Sequence, residues 1–462
     1  VSERETLRAV VVGGGVSGLT AARDLVAAGY EVVVLEAADR PGGKIRRESV
    51  GGVTVDVGAE AMLNRRPEGI GLARALGLTV VHPTGATSRI WTRGALRPLP
   101  RTLMGAPLDL DQLEASGILS PDGMVRARHR YSGGLPEGDV SVGEVVAQEY
   151  GDEVVDRLVE PLLGGVYAGH ARGISAQAAI PQLLDLARRG GIVEHASVVP
   201  TSDVPVFAGL TGGMGGLVDA LAAGLDVRTS TTVRSVQRSA DGFRLVTGPV
   251  PAPRILEADV VVLSVPATPS SRLLADLAPA AAAELAEIDY ASMAVVTLAL
   301  PMDDLPAGME QSSGFLVPPV DGRRIKAATF SFAKWDWVRE AGGDLALLRT
   351  SLGRLGDEVA LQRTDDELVA ASLGDLRDAV GLEAIPVDTH VQRWGGGLPQ
   401  YAVGHLDRVA RIRSAVAAVP GLAVCGAAYG GVGIAPCVAS GHAAALAVTS
   451  GTGRGTPERT SR

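Results

Sequence analysis

A short apolar run from Val10 to Val12 opens the ordered part of the chain, followed by a glycine-rich turn. Apolar residues at helical spacing then run from Leu19 to Ala28, and a second apolar run covers Glu31 to Leu35. This pattern predicts strand, turn, helix and strand in that order. It recurs along the chain. LTGGMGGLVDAL (210–221) predicts a glycine-rich turn before an apolar helix, and LDVRTSTTVRSVQRSADGFRLVT (225–247) predicts strands broken at Asp241-Gly242. DVVVLSVPATPSSRLL (259–274) predicts a buried strand, a Val-Pro turn and a helix. LAVCGAAYGGVGIAPCVASGHAAALAV (422–448) predicts a strand, a glycine-rich turn and a long helix of small residues.

Two stretches have a different character. Between residues 101 and 200 the spacing is helical: Val142, Val145 and Val146 share a face that Val154, Val155, Leu158 and Val159 continue. Asp152 to Asp156 and Glu160 are expected on the polar side opposite that stripe. Residues 290–350 predict strands instead, including MAVVTLALP (293–301) and IKAATFSFAKWDW (325–337), a sheet suited to wall a substrate pocket. The fold class expected is α/β with α+β insertions. It comprises a Rossmann-like dinucleotide-binding domain, a substrate domain on a mixed sheet and a helical insertion domain. The expected boundaries are 1–80, 205–270 and 388–450 for the discontinuous cofactor domain. Residues 81–100 and 271–387 form the substrate domain, 101–204 the helical insertion, and 451–462 a disordered tail.

Composition narrows the chemistry. At 462 residues the chain exceeds one ordinary core, and its 59 glycines follow no fibrous period, so tight turns and close backbone approaches are expected. A formal net charge of −9 argues against a nucleic-acid partner. Cys425 and Cys437 are the two cysteines, which excludes a disulfide framework and a CxxC metal site, and no metal site is expected. No apolar run approaches the roughly 18 residues that span a bilayer. The first strand begins near Leu7, leaving no room for a signal peptide, so a cytoplasmic location with peripheral membrane contact is expected.

The first turn reads Gly13-Gly14-Gly15-Val16-Ser17-Gly18. In a dinucleotide fold the first glycine of GxGxxG permits the turn, the second lets backbone approach the pyrophosphate, and the third lets helix pack on strand. The helix N-terminus favours the phosphates. Glu36 ends the second strand, where a carboxylate takes both ribose hydroxyls and repels a 2′-phosphate. NAD and FAD share this half-site. The tie is broken further along, by Ala37, Arg40, Gly42, Gly43 and Lys44 in AADRPGGKIR (37–46) and by Gly58, Ala59, Glu60 and Ala61 in VTVDVGAEAML (53–63). An NAD domain needs neither element so early, whereas FAD extends far beyond its adenine. Ala427 and the turn Val432-Gly433-Ile434 precede the last helix, whose positive end would favour an anionic reduced flavin.

GGGVSGL, VVVLEAADRPGGKI and DVGAE together resemble the flavin monoamine-oxidase-like superfamily. AEAMLNRRPEGIGLARALGL (59–78), PLLGGVYAGHARGIS (161–175), SGFLVPPVDGRRIKAATFSFAKW (313–335) and QRWGGGLPQYAVGHLDRV (392–409) extend the likeness over nearly the whole chain. They resemble the protoporphyrinogen/coproporphyrinogen oxidase family, most of all its coproporphyrin-forming bacterial branch. The resemblance implies FAD as cofactor, with the backbone of Val233 at the adenine; Trp394 and Tyr401 are the aromatics expected to frame the flavin, with core packing the alternative. It implies a porphyrinogen substrate that loses six hydrogens in three flavin cycles, dioxygen as acceptor and hydrogen peroxide as product. No protein nucleophile is required, since the cofactor carries the chemistry. Arg65 and Arg66 are the basic residues expected to meet propionates, with Gly165 and Tyr167 close to the macrocycle and Leu316 on the pocket wall. Transient contact with the next enzyme of haem formation is a further implication. Coproporphyrinogen III is the expected substrate, protoporphyrinogen IX the alternative, and a flavin amine oxidase or a non-catalytic porphyrin carrier the more distant readings.

Overall fold

The computed structural model describes residues 6–129, 134–199 and 204–450, and the expected tail at 451–462 lies outside these. Five parallel strands pair in the order Asp226–Arg228, Glu31–Leu35, Arg8–Val12, Val260–Leu263 and Leu422–Val424. Val10, Val11 and Val12 are buried, as a strand covered on both faces requires. Ala9 sits between Val32 on one side and Val260 on the other, so the chain leaves the central strand where the sheet's order reverses. In open α/β sheets that point is where a ligand crevice opens. Helix Val16–Ala27 packs against helix Ile434–Ser450. A Cβ on Gly441 would lie 2.4 Å from the Ser17 carbonyl oxygen, so this helix pair is closer than any larger residue permits.

A second sheet has seven strands, in the order Asp388–Pro399, Tyr290–Pro301, Leu345–Leu352, Ile325–Thr329, Ser312–Leu316, Thr87–Thr92 and Ala95–Pro98. Ala294, Val296, Phe315, Ala328 and Leu348 from one face build a buried core with Leu368 and Leu376 of helix Asp365–Val380. The strand expected over 325–337 stops at Thr329, and Ser331–Lys334 and Asp336–Gly342 are helical. An extended chain would send Trp335 to the face opposite Phe332, whereas a helical turn buries both, and both are buried here.

The helical stretch follows its predicted stripe: Val142, Val145, Val146, Val154, Val155, Leu158 and Val159 all lie in one core. The helix loosens into a π-turn over Val155–Val159. Pro161 follows directly and has no N–H to give the carbonyl four residues back, which accounts for the local slip in hydrogen bonding. Glu160 differs from expectation. It is buried rather than solvated, because its Oε1 accepts the Ala171 N–H at 2.9 Å and ties the returning loop to the helix.

Candidate functional site

A cleft of about 850 Å³ opens at the carboxyl ends of the parallel strands. From the first turn, Gly13, Gly15, Val16 and Ser17 line it, followed by Glu36, Ala37, Gly42, Gly43, Lys44 and Ala59. Val233, Trp394, Ala427, Val432, Gly433 and Ile434 complete the set of anticipated residues on its walls. The chain thus brings together segments more than 400 residues apart along a single groove.

The glycines divide by role. Gly13 has φ +106°, and a Cβ there would sit 2.5 Å from the Ser264 carbonyl oxygen, so it serves the fold. Gly18 does likewise, since its Cβ would meet the Gly13 oxygen at 2.0 Å. Around Gly15 nothing lies within 4 Å of such a Cβ, and the space belongs to the cleft. Gly14 faces Glu36: its N–H donates to Glu36 Oε2 at 2.7 Å, while Ala38 N–H donates to Oε1 at 2.8 Å. These bonds hold the carboxylate at the cleft wall, with lone pairs left for a ligand's hydroxyls.

Other anticipated residues support the cleft from outside its lining. Gly58 passes so near the Lys44 carbonyl that a Cβ would lie 2.1 Å away, and it also packs under Trp394. Glu60 forms ion pairs with Lys334 at 2.6 Å and Arg349 at 3.2 Å. Burial alone would push this carboxyl up, yet the two cations hold it down at about 2. Asp56 lies nearby, receives Met214 N–H at 2.8 Å, and is pushed up to about 6, chiefly by burial. Ala61 packs beside Val50 and Trp335. Arg40 is ion-paired with Glu48 and does not line the cleft, whereas Arg46, 2.8 Å from the same carboxylate, does.

Lys44 tests what the cleft is built to hold. Its side chain is half-buried on the groove wall, it has no ion pair among the described residues, and desolvation depresses it below the usual lysine range. A partly desolvated, unpaired cation on a groove wall favours an anionic guest. The N-terminus of helix Ile434–Ser450 meets the same groove and adds a partial positive charge. Two glycine turns, a ribose-competent carboxylate, an unpaired ammonium and a helix dipole suit FAD along its length.

Several lining residues carry no sequence signature of their own. Thr231, Thr232 and Arg234 flank Val233, Ser264 to Pro266 follow a parallel strand, and Gly395 to Gly397 follow Trp394. The Val-Pro turn and the WGGG run were their available signals. Tyr401, an apparent core aromatic, ties the last turn in place. Its hydroxyl donates to the Ala427 carbonyl at 2.6 Å and accepts the Gly431 N–H at 2.8 Å. His405 stacks on that ring at 3.9 Å and is pushed down to about 4 by burial, with Arg408 adding to the effect. The imidazole is therefore neutral at pH 7.

The anticipated substrate residues separate into two groups. Gly165 is exposed, and a Cβ there would sit 4.0 Å from Leu316 Cδ2. Leu316 pairs with Ala327, and the row continues through Ser351 and Val295 to Gln392. Paired residues share a face, so Leu316 stands on the sheet face whose far end, Gln392 and Trp394, lines the cleft. Tyr167 is buried beside Tyr401, ring centroids 5.5 Å apart, and its carbonyl accepts Gln400 Nε2–H at 2.8 Å. Its hydroxyl is pushed up to about 12 by burial, so it stays protonated. Arg65 and Arg66 are exposed at the start of helix Pro67–Ala75, where Arg66 Nε lies 3.8 Å from Glu68, and no recorded contact joins them to Gly165 or Leu316.

A family model described as flavin containing amine oxidoreductase matches residues 16–449. The chain is 38% identical to a coproporphyrinogen III oxidase of Mycobacterium tuberculosis, covering 95% of this chain and 96% of that one. It is 29% identical to the coproporphyrinogen III oxidase of Bacillus subtilis, over 94% and 96% of the two chains. A crystal structure of a putative protoporphyrinogen oxidase from Exiguobacterium superposes with a TM-score of 0.85 at 30% identity, covering 97% of this chain and 100% of that one.

Proposed function

Because this chain belongs to the flavin-containing amine oxidoreductase family, we propose that it is an FAD-dependent oxidase converting coproporphyrinogen III to coproporphyrin III. The observation that carries the reading is likeness to coproporphyrinogen III oxidases over almost the whole of both chains. The site is compatible with it. A macrocycle needs an apolar wall near the flavin, and Leu316, beside the side-chain-free Gly165 and on the sheet face that ends at Trp394, supplies one without aromatic side chains, which make up 3% of the sequence.

Six hydrogens must leave the porphyrinogen, so the reaction takes three two-electron rounds. When bound, FAD would supply the two-electron acceptor for each round, with dioxygen as the final oxidant. The chain's residues do the holding. Glu36 and the first turn fix the adenosine end, and the Tyr401 hydroxyl pins Ala427 and Gly431 at the other end. Lys44 and the N-terminus of the last helix favour added negative charge there. Leu316 and Gly165 lie against one edge of the ring, and the exposed Arg65 and Arg66 serve as outer partners for propionates.

The same reading divides the chain into the discontinuous cofactor domain, substrate domain and helical insertion expected above. A cytoplasmic site of action, contact with a membrane surface and product transfer to the next enzyme of haem formation belong to it as well. No helix among the described residues is long and apolar enough to cross a membrane. The test is aerobic turnover of coproporphyrinogen III, protoporphyrinogen IX and simple amines by the purified holoenzyme, read as porphyrin fluorescence and peroxide. Coproporphyrin III should form fastest. Peroxide from amines with no porphyrin above the autoxidation blank would overturn the proposal.

A further inference from the structure

Lys326 is the most isolated charge in the substrate sheet. It is 3% exposed, and its one recorded side-chain contact is Nζ to Met293 Sδ at 3.9 Å. Its position follows from a β-bulge. Ile325 pairs with Leu352 and Ala327 with Ser351, so two residues of one strand oppose a single step of the other. Lys326 is the extra residue, and the bulge turns its side chain from the apolar core of Ile325 and Ala328 toward the opposite face. Met293 confirms the direction: it pairs with Trp394, which lines the cleft. Lys326 therefore stands on the same face as Leu316, on a strand that lies between the strand of Leu316 and the strand of Trp394.

A second, half-buried cation accompanies it. Arg354 donates from Nη2 to the Val317 carbonyl at 2.9 Å, one residue beyond Leu316, and its Nε is buried without a partner. Neither residue forms an ion pair among the described residues. A buried ammonium depressed first by burial and then by the neighbouring guanidinium forms an arrangement that calls for an anion. The facing titratable groups do not supply one in contact. Glu160 approaches from the helix, but burial pushes it toward its neutral form and its Oε2 has no hydrogen-bond partner. Asp357, in the loop after Arg354, and His170, behind Glu160, act only at a distance.

We infer that Lys326 and Arg354 form a carboxylate-binding subsite inside the substrate pocket, which takes one propionate of the porphyrin ring. This rests on the porphyrinogen reading of the site and assigns the inner propionate contact to residues other than Arg65 and Arg66. Arg354 decides between anion binding and proton abstraction. A guanidinium stays protonated and cannot act as a base, but it accepts a carboxylate in a bidentate fork. Burial, with Arg354 beside it, pushes Lys326 down to about 7. An arriving carboxylate raises it again, so binding takes up a proton above pH 7.

The test is equilibrium binding of coproporphyrin III to the holoenzyme, followed by quenching of porphyrin fluorescence between pH 6.5 and 9 (about half-unit steps spanning the Lys326 titration). Its tetramethyl ester is the comparison ligand. The wild type should lose affinity as pH rises. Lys326→Met should weaken coproporphyrin III by about tenfold or more, equivalent to one strong charge-assisted contact, and should flatten the pH dependence. Lys326→Arg should retain most of the affinity, also without pH dependence. Arg354→Met should weaken binding at every pH, and the ester should bind all four proteins alike. Unchanged coproporphyrin III binding by Lys326→Met, with or without a loss of turnover, would overturn the subsite. So would equal weakening of acid and ester, the mark of a structural role. Should Lys326→Met not fold, the Lys326→Arg profile and the wild-type acid–ester difference decide. These readouts need no turnover, so failure to oxidise coproporphyrinogen would count against the proposed function and not against the subsite.

Discussion

Gly15→Ala separates the glycines that make the fold from the glycine that makes room for a ligand. Gly15 has φ −74° and ψ 174°, extended backbone that alanine adopts freely, and its added Cβ would meet nothing within 4 Å. Without ligand the substitution should be neutral or stabilising by about 0.4–1 kcal/mol, because it restricts the unfolded chain. With the pyrophosphate in the groove, the methyl group occupies space that a phosphate oxygen needs. Overpacking of that kind costs about 1–3 kcal/mol, which is roughly 5- to 150-fold in Kd. Gly13→Ala is the contrasting control. Its φ of +106° and the 2.5 Å approach to Ser264 oxygen put the damage in the fold itself. Thermal unfolding of the apoprotein and titration with FAD, read by flavin fluorescence, give the two numbers separately. Gly15→Ala should keep its Tm and lose FAD affinity, while Gly13→Ala should lose Tm first. A Gly15→Ala protein that binds FAD as tightly as the wild type would refute the placement of the pyrophosphate.

Two further outcomes follow from buried polar contacts. Tyr401→Phe removes the donor to Ala427 and the acceptor for Gly431 N–H. Leaving both backbone groups unsatisfied costs about 1–3 kcal/mol each, so Tm should fall and FAD should wash out more readily during gel filtration; unchanged Tm and flavin retention would contradict the pinning role. Glu60, held down at about 2, contributes stability that is complete above its ordinary 4.5 and lost as pH falls from there toward 2. Asp56 acts in the opposite sense: raised from 3.8 to about 6, it takes up a proton on folding, and that stabilisation is lost as pH rises through 6. Lys334→Met removes one of the two cations on Glu60, so acid unfolding followed by circular dichroism should begin at higher pH than in the wild type. An unshifted acid midpoint would show that the ion pair does not set the acid limb.

The cofactor groove was legible in the chain because its signals are local. A glycine that must turn, a helix that must begin and an acid that must end a strand all lie within one continuous stretch, from Gly13 to Glu36. The substrate side depends on pairings between distant strands, and there local reading fails in specific ways. Periodicity placed Glu160 on a solvent face, but the Ala171 N–H, eleven residues on, captures its carboxylate and buries it. Arg40 and Arg46 both reach Glu48, and only the backbone path between them decides which one faces the groove. Tyr401 resembles core filling until its hydroxyl is seen between two backbone groups of a turn 26 and 30 residues away. Lys326 is the extreme case. In strict alternation with Ala328 it would point into the apolar core, and the bulge that redirects it exists only because Ala327 pairs with Ser351 while Ile325 pairs with Leu352. Register is set by the whole sheet. A single slipped residue thus moves a lysine from strand chemistry to pocket chemistry, and the burial it suffers there makes sense only if an anion arrives to share it.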